Sequence, residues 1–320
     1  MKKFCFILIF LPFLFFSCGG GGGGGVLKAV GNVFFNDTQP NDRISSNIER
    51  IATPSTCPTS SKVYTFLLIA DTHFGVKNYG TLPFSQIEQT VKNRTNIEDK
   101  PTFIAVIGDI TDSGTESEYL EYVSFINKVS SICGGAKVLN AVGNHDLRSK
   151  GWENWKKYAF PGNSFYSFSV PNWNRTFYFI DTASGTMGKK QLQNFSNAVK
   201  QDGNRKFIFS HYPFYGDTTA SNNSFYVLPD TAERNTLFSL CANYNVDAVF
   251  CGHFHEPYYT TAPKAFIQVA SGSMKKDKKG FRHWTFVKVN EIEKKAYFTR
   301  YDLNGDASSP VATNWEWSFK

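Results

Sequence analysis

The chain has 320 residues, with 34 Lys and Arg against 27 Asp and Glu, for a formal net charge of +7 at pH 7. That excess is too weak, and too spread along the chain, to argue for a nucleic-acid-binding surface, and no sequence-specific nucleic-acid partner is predicted. An aromatic share of 16% fits a large core and points to no particular ligand.

Lys2 and Lys3 precede a run from Phe4 to Phe16 that is apolar throughout. A basic start followed by an apolar stretch too short to span a bilayer reads as an export signal over residues 1–17. Losing its two lysines lowers the formal charge from +7 to +5. Ser17-Cys18 resembles the lipobox of bacterial lipoproteins, with Phe15 where leucine is usual. The resemblance implies cleavage before Cys18, lipidation of that cysteine, and an exported protein anchored to a bacterial membrane. Residues 19–25 are all glycine, which cannot pack a core and suit a flexible tether. Residues 26–61, rich in Asn, Ser, Thr, Asp and Pro, read as a linker or loosely docked arm. The expected division is therefore 1–17, 18–61, and a domain over 62–320.

Four further cysteines follow Cys5 and Cys18. Export permits a disulfide without requiring one. Cys57 and Cys133 are expected at the same sheet edge and could pair; four buried free thiols are the equal alternative. Cys241 and Cys251 fall near opposite ends of a helix–strand unit, too far apart to bridge.

From Lys62 onward, runs of apolar, β-branched and aromatic residues recur at 63–70, 102–107, 137–141, 176–180, 206–209, 248–251 and 266–270. Near-continuous apolar character is what strands buried on both faces require. Helical spacing falls between them over 116–133, 188–199 and 232–244, the first ending at Gly134-Gly135. The last part, 284–289, 295–301 and 313–319, predicts strands joined by turns such as Asn304-Gly305. The pattern predicts one layered α/β domain.

Five of the runs end on polar residues able to hold a metal: LLIADTHFG, FIAVIGDITDSG, LNAVGNHD, FIFSHY and AVFCGHFH. In open α/β sheets, ligands bind beyond the carboxyl ends of the strands, so these endings converge. Asp71 and His73 are two residues apart, as are His253 and His255, and in extended chain each pair points one way. Gly108, Gly143 and Gly252 precede Asp109, Asn144 and His253 and let the backbone turn tightly. A single Asp or His at a strand end is usually a cap or turn former; five matched endings point to a shared centre.

These blocks, Asp71-x-His73, Gly108-Asp109, Gly143-Asn144-His145-Asp146, His211 and Gly252-His253-x-His255, resemble the calcineurin-like metallophosphoesterase superfamily. The resemblance implies a four-layered α/β/β/α sandwich with two divalent metal ions, drawn from Mn, Fe, Zn, Co and Ni. It implies Asp71, His73 and His255 on one ion, Asn144, His211 and His253 on the other, and Asp109 bridging. It further implies a phosphomonoester or phosphodiester substrate, attacked in line by a hydroxide between the ions, with His145 assisting the leaving group. Asp146 is expected to orient a histidine, or alternatively to cap a helix. Purple acid phosphatases place tyrosine where this chain has Asp112, which argues against an iron–tyrosine site. Gly108-Asp109-Ile110-Thr111-Asp112 is closer to the bacterial branch that includes cyclic-nucleotide phosphodiesterases, where Asp112 is read as a solvated loop acid in preference to a residue that supports a metal ligand. Alternative readings are a nuclease, a phospholipid or lipid-diphosphate hydrolase, and a non-catalytic binding lipoprotein.

Overall fold

The computed structural model describes residues 38–44, 47–58, 60–77, 80–216, 226–261, 265–276, 280–303 and 309–319. The export signal, Cys18, the polyglycine run and the Asn304-Gly305 turn lie outside the described residues.

Two sheets and their helices make a mixed α/β fold. One sheet is built on three parallel strands, β2 (Val63–Ile69), β3 (Pro101–Ile107) and β4 (Lys137–Ala141). Antiparallel strands β11 (Arg282–Asn290), β12 (Lys295–Leu303) and β13 (Val311–Ser318) extend it beyond β2. The other sheet centres on parallel strands β6 (Arg175–Ile180), β7 (Arg205–Ser210), β8 (Val246–Cys251) and β10 (Ile267–Ala270). Its flanks are β5 (Tyr166–Val170) with β1 (Glu49–Arg50) on one side and β9 (Tyr258–Thr261) on the other.

Alternation along the strands explains how they pack. Tyr64, Phe66 and Leu68 of β2 belong to one buried cluster with Phe177 and Phe179 of β6, Phe207 and Phe209 of β7 and Phe250 of β8. The Phe66 ring stacks on Phe103 at 4.9 Å and meets Phe250 edge-on at 5.4 Å, joining the two sheets. Leu67 and Ile69 point the other way, into a cluster with helices α2 (Phe84–Lys92), α3 (Glu116–Ile132) and α4 (Gly151–Tyr158), which includes Trp152 and Trp155. On the second sheet, Tyr178, Ile208 and Val249 pack against α5 (Gly188–Gln201) and α6 (Thr231–Asn243).

Helix ends follow local chemistry. Thr115 and Glu118 form a reciprocal capping box at the start of α3, and Gly134 and Gly135 (φ 72° and 82°) stop it. Asp230 caps α6 by accepting from the N–H groups of Ala232 and Glu233.

The segment before β2 is held in place where it is described. A short helix, α1 (Pro40–Arg43), brings Arg43 onto Asp181 at the end of β6, with Nε–Oδ2 2.8 Å and Nη2–Oδ1 2.9 Å, both side chains fully buried. β1 pairs in parallel with β5. The four cysteines of the described residues are buried free thiols. Cys57 packs in the cluster between the sheets and Cys133 in the cluster under α3, so the first sheet separates them and the pairing weighed from sequence does not form.

Candidate metal centre

The loops following β2, β3, β4, β7 and β8 meet at one edge, and all seven residues expected as ligands meet there. Suitable donor atoms of Asp71, His73, Asp109 and His255 lie within 4.8 Å of one another, as do those of Asp109, His211 and His253. Asp109 belongs to both groups. Its Oδ2 lies 3.6 Å from Nε2 of His73 and 3.3 Å from Nε2 of His211. Asn144 completes the second group, its Oδ1 3.1 Å from Nε2 of His211. Nε2 of His255 lies 3.4 Å from Oδ1 of Asp71 and 3.0 Å from Nε2 of His73.

The backbone is bent to achieve this. Asp71, His73, Asp109, His253 and His255 all have positive φ (52°, 46°, 49°, 64° and 65°). Each such L-residue costs roughly 1–2 kcal/mol, and strain of this kind gathers at functional sites. The preceding glycines matter for space. A Cβ on Gly252 would lie 2.7 Å from Oδ2 of Asp71, and one on Gly143 would strike the main-chain nitrogen of Asp109.

Hydrogen bonds fix which imidazole nitrogens face inward. Nδ1 of His211 donates to the carbonyl of Ile107 at 3.0 Å, leaving Nε2 toward Asp109. Nδ1 of His73 lies 3.2 Å from Oδ1 of Asp112, again leaving Nε2 for the centre. Main-chain groups hold the carboxylates: Asp109 Oδ1 accepts from the His145 N–H at 2.8 Å, and Asp71 accepts from the His253 N–H at 3.0 Å. Tyr212 stacks on His253 with ring centroids 3.8 Å apart, so the aromatic run after His211 packs the loop.

The electrostatics are those of a cation site. Burial pushes the Asp109 carboxyl up, but the charges of His211 and His145 outweigh it and hold the carboxyl well below its usual range. Asp71 is lowered by His255 against the same burial. Burial lowers His211, yet Asp109 lifts it to about 9, and Asp71 likewise raises His255. Among the described residues, the ion pairs of these two carboxylates are with histidines. Buried carboxylates with converging imidazole nitrogens and an amide oxygen fit a borderline divalent metal, which would displace the imidazole protons.

Three residues differ from the sequence reading. Asp146 touches neither a histidine nor a helix end: its Oδ1 accepts from Thr111 N and Oγ1, and its Oδ2 from Gly143 N, so it ties together the loops carrying Asp109 and Asn144. Burial, then the charge of Asp109, pushes its carboxyl up to about 7. Asp112, read first as a solvated acid, takes the other role weighed for it and orients His73. Arg148 was missed altogether. His145–Leu147 is a single 3₁₀ turn, and residues three apart eclipse in that geometry, which sets the Arg148 side chain over His145. That spacing was the available signal.

A sequence profile described as calcineurin-like phosphoesterase matches residues 64–257, more than half of the chain. The chain belongs to this family. Phosphatases are among the solved structures it resembles. A dimetal phosphatase from Danio rerio is 13% identical with a TM-score of 0.54, over 78% of this chain and 98% of the other. A purple acid phosphatase from yellow lupin (Lupinus luteus) seeds is 12% identical with a TM-score of 0.57, over 81% of this chain and 54% of that one. GAP50, the anchor in the inner membrane complex of Plasmodium, is 13% identical with a TM-score of 0.55, over 81% and 89%. At such identities the likeness is one of fold. A search of curated sequences finds no significant match. Calcineurin-like phosphoesterase membership and the histidine–aspartate cluster together support a metal-dependent phosphoester hydrolase.

Proposed function

We propose that the chain hydrolyses phosphomonoesters or phosphodiesters at a centre of two divalent ions, within four layers ordered α/β/β/α. The observation that carries this reading is the shared carboxylate: Asp109 Oδ2 lies between His73 Nε2 at 3.6 Å and His211 Nε2 at 3.3 Å, with further donors on each side. Asp71, His73 and His255 would hold one ion, Asn144, His211 and His253 the other, and Asp109 both. When bound, such ions supply charge for the phosphoryl oxygens and a water activated for attack on phosphorus.

The chain's own residues do the positioning. The His145 N–H holds one oxygen of Asp109 and so aims the other inward. Asp112 fixes the tautomer of His73, and Ile107 O that of His211. The His145 ring lies edge-on to His73 with centroids 4.5 Å apart, and from beside the cluster it would assist the leaving oxygen. A non-catalytic binding protein is the weaker reading, because every donor is present and assembled.

The test is hydrolysis of p-nitrophenyl and bis-p-nitrophenyl phosphate by metal-loaded protein. Chelation should abolish it, and Asp109→Ala should lower it by roughly a thousandfold or more. Full activity after either treatment sinks the reading. We propose further that the domain is exported and held at a bacterial membrane through lipidated Cys18. The sequence Ser17-Cys18 and the glycine run support this, and Cys18→Ala should release the protein from the membrane fraction. The tether favours a lipid phosphoester as the second substrate reading. Activity on a short-chain phosphatidic acid exceeding that on p-nitrophenyl phosphate would establish it.

A further inference from the structure

The His145 ring is held at both of its nitrogens. Nδ1 lies 2.8 Å from the main-chain oxygen of Asp112, and a carbonyl can only accept, so Nδ1 carries the hydrogen. Nε2 lies 3.0 Å from Nη2 of Arg148, and a guanidinium can only donate, so Nε2 presents its lone pair. The nitrogen through which His145 would meet a substrate is therefore covered by an arginine.

Arg148 is placed as a fork beside the cluster. Nη1 donates to Asp112 O at 3.1 Å, so two of its five N–H groups are engaged by these contacts. The side chain is half-buried, at the end of the 3₁₀ turn that follows Asn144. Its positive charge reaches Tyr212, whose ring covers His253 on the other half of the site. A planar guanidinium matches two oxygens of one phosphoryl group and binds them more strongly than it binds a neutral imidazole nitrogen.

We propose that Arg148 is the phosphoryl-binding residue, and that it leaves His145 Nε2 for the substrate's anionic oxygens, so that arrival of the phosphate uncovers the imidazole. The inference rests on the phosphoesterase reading above and narrows its substrate class. A monoester has three non-bridging oxygens, enough for the centre and for both arms of the fork. A diester has two, and when the centre takes both, none is left for the fork. Arg148 therefore selects phosphomonoesters.

The experiment compares metal-loaded wild type with Arg148→Gln, Arg148→Lys and Lys275→Gln, with metal content and thermal midpoint measured for each. Lys275 is the control for general charge, since its ammonium lowers both Asp112 and His255. Inorganic phosphate is the probe, titrated calorimetrically and as a competitive inhibitor. Arg148→Gln is expected to weaken phosphate binding about tenfold to a hundredfold, the worth of charge-assisted hydrogen bonds. KM for p-nitrophenyl phosphate should rise by a similar factor, while KM for bis-p-nitrophenyl phosphate should change less than threefold or so. Arg148→Lys, which keeps the charge and loses the fork, should recover only part, and it decides the matter should the glutamine variant not fold. Unchanged phosphate affinity in the folded, metal-replete variants overturns the inference. So does an equal loss for both esters, or a loss in Lys275→Gln as large as that in Arg148→Gln. Absence of any hydrolysis by wild type would count against the phosphoesterase reading alone; the calorimetric titration would still decide the role of Arg148.

Discussion

The carboxylates of the metal centre and those at the amino-terminal ends of the strands are neutralised in opposite ways. At the amino-terminal end, Asp247 and Glu291 are neutralised by arginines: Arg175 bonds Glu291 Oε1 at 2.9 Å and Oε2 at 2.7 Å and also reaches Asp247, which Arg205 meets as well. The Arg175 guanidinium further lies 4.1 Å over the Phe207 ring. At the carboxyl-terminal end, Asp71 and Asp109 meet imidazoles instead. A carboxylate removed from water requires nearby positive charge. An arginine supplies it permanently, whereas an imidazole can exchange its proton for a metal. The arginine-paired group is thereby fixed as scaffold, as is Asp181 beside Arg43, and the imidazole-paired group is left open to chemistry.

Three measurements probe that division, beginning with the largest effect. Arg175→Met should cost about 3–5 kcal/mol in urea unfolding, because it leaves two buried carboxylates underpaired. Metal affinity of the folded fraction should stay at the wild-type value; a large fall would show that the two ends are not separable.

The next effect lies in pH. His211 is raised from the ordinary 6.5 to about 9, so its protonation stabilises the metal-free fold fully below the unfolded value and is lost as pH rises through about 9. Metal-free protein should therefore lose up to about 3 kcal/mol between these limits. Metal-loaded protein should not, because the ion replaces the proton. Parallel urea midpoints across pH 6.5 to 9.5, with and without metal, would break the comparison.

The smallest effect is expected from Asp112→Ala. Removing the carboxylate that orients His73 should weaken metal binding about tenfold to a hundredfold, by calorimetric titration, with little change in unfolding free energy.

The sequence carried the strand ends well, because parallel strands covered on both faces read as unbroken apolar runs and their glycine-led endings stand out. Less visible was β5, whose Tyr166-Ser167-Phe168-Ser169-Val170 carries two serines and begins outside any such run. The Arg43–Asp181 pair joins residues 138 apart in sequence, and no local pattern announces it. Cys57 and Cys133 looked like neighbours because both were assigned to one edge of a sheet; which face each occupies depends on packing. Among site residues, the seven expected as ligands were legible by type and spacing as residues that would meet at one edge. Asp146 and Asp112 were not, since their work is set by which loop lies opposite. Arg148 was hidden by its ordinary appearance, a basic residue after a motif.

The five left-handed residues of the site carry one last consequence. None is glycine, although glycine alone would adopt those angles without penalty. At His255, which is partly exposed, a glycine would relieve roughly 1 kcal/mol and remove a donor of the centre. A chain selected for durability alone would drift toward glycine at such places. That this one keeps aspartate and histidine there marks a protein less stable than its own fold allows, in exchange for a cluster that can bind.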